Sequence, residues 1–131
     1  MKKFYYDKDT NSILVSEKEI NNNQLEELVA NTKEAALEKH IPVVKELDNE
    51  TEIQVGNVLH PSTEEHYIEW IYVELKNGNL QITFHCAEQP IAIIPYKKED
   101  ILAVYSYCNL HGLWKLEDLG SLSSSVGGTK N

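Results

Sequence analysis

An all-β protein built around a sandwich is what the sequence predicts, and three observations carry that expectation. Helical spacing is confined to the residues before Pro42. After it come six short β-rich runs, with Val43 and Val44, then Ile53 and Val55, then 67–75, then Leu80, Ile82 and Phe84, then 91–94, then 101–107. Asn77-Gly78 falls between two of those runs, where a two-residue hairpin turn is expected.

Taken in order, residues 1–23 offer one strand candidate, Ile13-Leu14-Val15, and a polar loop ending in Asn21-Asn22-Asn23. That is too little apolar material for an independent core. Leu25, Leu28 and Val29 fit helical spacing. Asn31 with Glu34 three residues later offers a capping box, so a short helix is expected through about Lys39. Pro42 stops it, having no N–H to continue the ladder. The strands follow, and the Asn77-Gly78 turn is expected to be type I′, whose two central residues need positive φ. Residues 120–131, with the composition of a linker and no periodicity, read as a flexible tail. The chain thus divides into an N-terminal segment 1–31, a main domain 32–119 and the tail.

With 131 residues, one sizeable core is the default. The 41% hydrophobic and 25% charged content is that of a globular chain and excludes wholesale disorder. Twelve basic against 21 acidic residues give a net charge of -9, a field that repels nucleic acid and anionic membranes. No apolar run approaches the ~20 residues of a membrane span. The start, Met1-Lys2-Lys3-Phe4-Tyr5-Tyr6-Asp7, lacks a signal core, so a cytoplasmic location is expected. There is no internal repeat, and Gly127-Gly128 neither follows a strand nor opens a helix, which argues against a phosphate cradle.

Chemistry has to come from histidines and cysteines. In the second hairpin strand, alternation puts Leu80, Ile82, Phe84 and Cys86 on one face and Gln81, Thr83 and His85 on the other. His85 therefore reads as solvated and Cys86 as a small buried hydrophobe. Cys108 and His111, three apart in Cys108-Asn109-Leu110-His111-Gly112, can meet on one metal, with turn N–H groups aimed at the sulfur. Alone, the pair is equally compatible with plain packing. His60 and His66 bracket a polar loop between strands. Glu38-Lys39-His40 stands where helix gives way to strand, and alone it reads as a solvated helix end with His40 at the negative pole of the dipole. Together His40, His60, His66, Cys108 and His111 are five nitrogen and sulfur donors. A structural zinc site uses four, whereas five leave an octahedral metal with one open position.

Glu38-Lys39-His40-x-Pro42, His60-Pro61 followed by His66-Tyr67-Ile68-Glu69-Trp70, and Cys108-Asn109-x-His111-Gly112 resemble, in the same order, the superoxide reductases, the family of desulfoferrodoxin and neelaredoxin. The resemblance covers about 25–115 and implies an immunoglobulin-like β-sandwich holding one iron. His40, His60, His66 and His111 would be equatorial and Cys108 axial. It implies that Glu38 ligates the ferric iron after turnover and that Lys39 attracts superoxide, which is reduced to hydrogen peroxide. It also implies an external electron donor such as a rubredoxin-like protein, and a homodimer. The four cysteines of the desulfoferrodoxin N-terminal module are missing, Tyr6, Asp9, Ile20 and Asn21 falling near their places, so segment 1–31 reads as a metal-free remnant.

Two competing functions remain at this stage. A cupredoxin-like electron carrier also brings Cys and His together on a sandwich, but it wants a weak axial ligand such as Met, and the only methionine is Met1. A non-catalytic zinc or other metal-binding module would need only four of the donors.

Overall fold

The computed structural model describes residues 2–116 and Leu119; the expected tail, 120–131, lies outside the described residues. Ten strands dominate: β1 Lys3–Asp7, β2 Ser12–Ser16, β3 Leu25–Leu28, β4 Pro42–Leu47, β5 Glu50–Val55, β6 Ile68–Leu75, β7 Gly78–Thr83, β8 Ile91–Ile94, β9 Ile101–Cys108 and β10 Gly112–Leu116. An α-helical turn, α1, spans Leu37–His40. A four-stranded sheet, β10-β9-β6-β7, faces a three-stranded sheet, β4-β5-β8, and a second three-stranded sheet, β2-β1-β3, comes from the N-terminal segment.

β6 explains why there are three layers. Alternation sends its Ile71, Val73 and Leu75 into the core shared with Ile53, Val55 and Ile94, the sandwich proper. It sends Trp70 and Tyr72 to the opposite face, where they pack with Phe4, Ala103, Tyr105 and Leu113. Phe4 of β1 plugs this second core, its ring 4.6 Å from Tyr105 and 5.3 Å from Tyr72. Burying such a side chain is worth about 1.5–3 kcal/mol. The N-terminal sheet therefore borrows its core from the sandwich, as its sparse apolar content requires.

All six strand runs after Pro42 are present, but four expectations need correction. Leu25 and Leu28 lie in β3, paired with Asp7 and Phe4 of β1. Pairing with β1 extends this run as a strand, and two leucines three residues apart do not by themselves distinguish a helix from a strand. Asn31 starts no helix either: at φ 63° it bonds β10 like a strand, its amide donating to the Lys115 carbonyl (3.1 Å) and its Oδ1 accepting from Lys115 N–H (2.8 Å). In place of the longer helix expected up to Lys39, this segment forms the single turn α1, with no side-chain cap.

The hairpin β6–β7 is present, with Leu75 opposite Gly78. Its central residues are therefore Lys76 and Asn77, neither at positive φ, so the turn is not type I′. Finally, Cys86 is exposed. β7 ends at Thr83 and the chain turns, with Ala87 at φ 72°, so alternation does not extend to residue 86.

Candidate metal centre

The site lies at one end of the sandwich, where four chain segments converge. α1 ends in His40, whose carbonyl accepts from the buried Ser106 hydroxyl of β9 (2.7 Å). Two residues further along the same face of β9 comes Cys108, fully buried in the sandwich core. A three-residue connection, Asn109-Leu110-His111, then joins β9 to β10, closing on Gly112 at φ 78°. That is the loop length that asks for glycine in the left-handed region. Asn109 ties this turn to the histidine loop, accepting from Tyr67 N–H (3.0 Å) and donating to the Glu65 carbonyl (2.9 Å). The loop itself closes from Thr63 to His66.

The four imidazoles form a ring. Centroids of neighbours are 4.6 Å apart for His40 and His60, 4.6 Å for His60 and His66, 5.2 Å for His66 and His111, and 4.9 Å for His111 and His40. Successive rings stand nearly perpendicular, at 76°, 80°, 79° and 88°. His40 and His66 are across the ring from each other, at 6.2 Å.

The nitrogen chemistry is more telling than the ring geometry. His40 Nδ1 is 2.8 Å from the Ala36 carbonyl, and His60 Nδ1 is 2.7 Å from the Pro61 carbonyl. A carbonyl only accepts, so both Nδ1 atoms carry the proton and both Nε2 atoms are bare in the neutral ring. Burial holds His40 and His66 below the usual imidazole value and pushes His60 down to about 4, so these rings are neutral at neutral pH. Yet His40 Nε2 is 3.2 Å from His60 Nε2, one lone pair facing another. His111 Nδ1 adds a further nitrogen 3.1 Å from His40 Nε2. His66 Nε2 is buried and has no hydrogen-bond partner. Two nitrogens sharing one metal at ~2.1 Å and at right angles stand about 3.0 Å apart. A cation at the centre of the ring would satisfy all of these atoms, including the His40 and His60 lone pairs that otherwise face each other.

Cys108 Sγ is 3.8 Å from His111 Nδ1. Burial pushes its thiol up, and N–H groups of Leu110 and His111 pull it back by bonding the sulfur, as the turn chemistry anticipated. One donor atom each from His40, His66, Cys108 and His111 lie within 4.8 Å of one another. His60 is not in that mutually close set; it joins through His40 and His66. Glu38 and Lys39 are exposed on α1, and the Lys39 ammonium disfavours protonation of both His40 and His66. Glu38 is tied in by its backbone, its carbonyl accepting from Val58 N–H (2.9 Å).

Sequence reasoning missed Ser106, Trp114 and Gly56. Trp114, fully buried, lies 5.0 Å from the His40 ring and donates from Nε1 to the His111 carbonyl (3.0 Å). Its indole packs on one proposed ligand and pins another. Strand alternation from Cys108 back to Ser106 was the available signal for the serine; nothing local marked the tryptophan.

An all-β sandwich that brings four imidazoles and a buried thiol around one point defines a mononuclear transition-metal protein. The comparisons narrow that class: the Desulfoferrodoxin family model matches residues 32–117, and the chain belongs to that family. It is 40% identical over 91 residues to a desulfoferrodoxin from Clostridium acetobutylicum, covering 69% of this chain and 70% of that one. The superoxide reductase structure from Treponema pallidum matches with a TM-score of 0.76 at 27% identity, over 89% of this chain and 99% of that one. That coverage takes in more than residues 32–117. The one-iron superoxide reductase from Giardia intestinalis matches at 0.50 and 32% identity, over 60% of this chain and 95% of that one.

Proposed function

We infer that this protein is a superoxide reductase with one mononuclear iron per chain, held by His40, His60, His66 and His111 with Cys108 as the thiolate ligand. The observation that carries it is the ring of imidazoles in which the bare Nε2 atoms of His40 and His60 face each other at 3.2 Å, with His111 Nδ1 3.1 Å from His40 Nε2 and the buried His66 Nε2 without a hydrogen-bond partner. When bound, iron supplies the ferrous-ferric couple whose single electron, with two protons, converts superoxide to hydrogen peroxide.

The chain's own residues do the rest. The carbonyls of Ala36 and Pro61 fix the tautomers of His40 and His60, so each offers Nε2. Leu110 and His111 N–H groups stabilise negative charge on the Cys108 sulfur, and metal binding then displaces a proton that burial alone would retain. Cys108, bound as a thiolate, would lend electron density to the metal. Lys39 supplies positive charge beside His40 and His66 to attract the anionic substrate. Glu38, next to it, is proposed to close the site in the oxidised state. Segment 1–31 is proposed as a metal-free module that covers the outer sheet. Its loops are tied without metal, through Tyr6 Oη to Asn11 and Ile20 N–H to Tyr5 Oη (2.9 Å). Residues 32–119 are proposed as the iron domain.

One experiment tests both the activity and the Glu38 role. The reduced, iron-loaded protein mixed with superoxide should form one peroxide per superoxide and release no dioxygen. Glu38→Ala should show the same initial rate and an altered oxidised spectrum. Half an equivalent of peroxide with dioxygen release would make the protein a dismutase, and identical oxidised spectra across neutral and alkaline pH would remove the Glu38 role. A rubredoxin-like donor, a homodimer and a cytoplasmic location are proposed with the function, on family resemblance. Re-reduction by reduced rubredoxin, the mass in solution and cell fractionation decide them. Among the described residues no helix is long and apolar enough to cross a membrane.

A further inference from the structure

We propose that Gly56 is a positioning residue for the metal centre, its missing side chain being what lets the turn after β5 clamp α1 against His60. A Cβ built on Gly56 would stand 2.5 Å from the Glu38 carbonyl oxygen, 2.9 Å from the Lys39 carbonyl carbon and 3.0 Å from the Ile41 carbonyl oxygen. Carbon-to-oxygen contacts settle at about 3.3–3.6 Å. All three atoms are backbone, so no side chain can swing aside; α1 or the turn must move as a body. These carbonyls bracket Glu38, Lys39 and His40, three of the residues on which the proposed function rests.

The turn is bonded on both sides of this contact. Val58 N–H donates to the Glu38 carbonyl (2.9 Å), and His60 N–H donates to the Val55 carbonyl (2.8 Å). Gln54 Nε2 donates to the Gly56 carbonyl (2.8 Å), fixing the Gly56 peptide from β5. One short turn therefore sets two distances at once, from β5 to the α1 backbone and from β5 to His60. The outcome is the 3.2 Å separation of His40 Nε2 and His60 Nε2. Gly56 touches neither metal nor substrate, so its role is to hold the spacing between two donors and to aim Lys39.

The test uses the full chain freed of metal and titrated with Co2+ as the probe, whose thiolate charge-transfer band reports Cys108 and whose affinity reports the donor spacing. Gly56→Ala should weaken Co2+ binding by roughly 10 to 100-fold, the usual cost of disturbing the groups that orient metal ligands. It should shift the ligand-field bands while far-ultraviolet circular dichroism stays that of the parent. Gln54→Ala removes only the tie to the Gly56 carbonyl and should shift the same bands in the same direction by less, which keeps the test open if Gly56→Ala does not fold. Gly78→Ala is the control. Gly78 has φ 157° and open space around it, so that variant should lose stability with an unchanged Co2+ spectrum. Parent-like affinity and bands in Gly56→Ala, or in a folded Gln54→Ala when Gly56→Ala does not fold, would overturn the positioning role while leaving the ligand set intact. A parent that binds Co2+ without a thiolate band would instead overturn the ligand set.

Discussion

Cys108→Ser is expected to abolish the thiolate-to-iron charge-transfer absorption and nearly all reductase activity while leaving the sandwich folded. A hydroxyl is not ionised at neutral pH and cannot donate charge to the metal as a thiolate does. The fold should survive for a local reason. Burying a hydroxyl without a partner costs about 1–3 kcal/mol, but here the N–H groups of Leu110 and His111 already point at the sulfur position and can bond its oxygen. Cys86→Ser is the control, and its exposed position after β7 predicts a stability change within about 0.5 kcal/mol and an intact spectrum. If the Cys86 variant lost the band and the Cys108 variant kept it, the ligand assignment would be wrong.

Lys39→Met should slow the second-order reaction with superoxide by roughly 10 to 1,000-fold and flatten its dependence on ionic strength, with iron content unchanged. The chain carries -9 overall, which by itself repels an anion. Screening at physiological salt fades charges beyond about 8 Å, so distant carboxylates count for little. The Lys39 ammonium, by contrast, acts close enough to the ring to disfavour protonation of His40 and His66. Pulse radiolysis across a salt series measures both quantities. An unchanged rate and salt slope in a fully loaded variant would leave Lys39 an ordinary exposed residue.

Much of the site was legible because metal ligation needs particular atoms. Imidazoles and a thiol are few in this chain, and the hairpin turn 108–112 announces itself through its glycine. The expected strands after Pro42 were equally readable, since β6 and β9 are apolar on both faces in answer to two cores. What failed were inferences drawn from short windows. Leu25 and Leu28 fit a helix or a strand, and only the neighbouring β1 decides between them. Asn31 has the chemistry of a helix cap, but its amide found the open edge of β10, 84 residues away. Cys86 was assigned a face by extending an alternation past the end of its strand. Gly56 was silent because its meaning lies in carbonyls of another segment.

Metal analysis combined with electron paramagnetic resonance of the oxidised protein tests the central claim most directly, because the competing functions differ in the ion they require. One iron per chain with a high-spin ferric signal is the predicted result. A cupric signal, or a silent protein containing one zinc per chain, would contradict it and point instead to an electron carrier or to a non-catalytic metal-binding module.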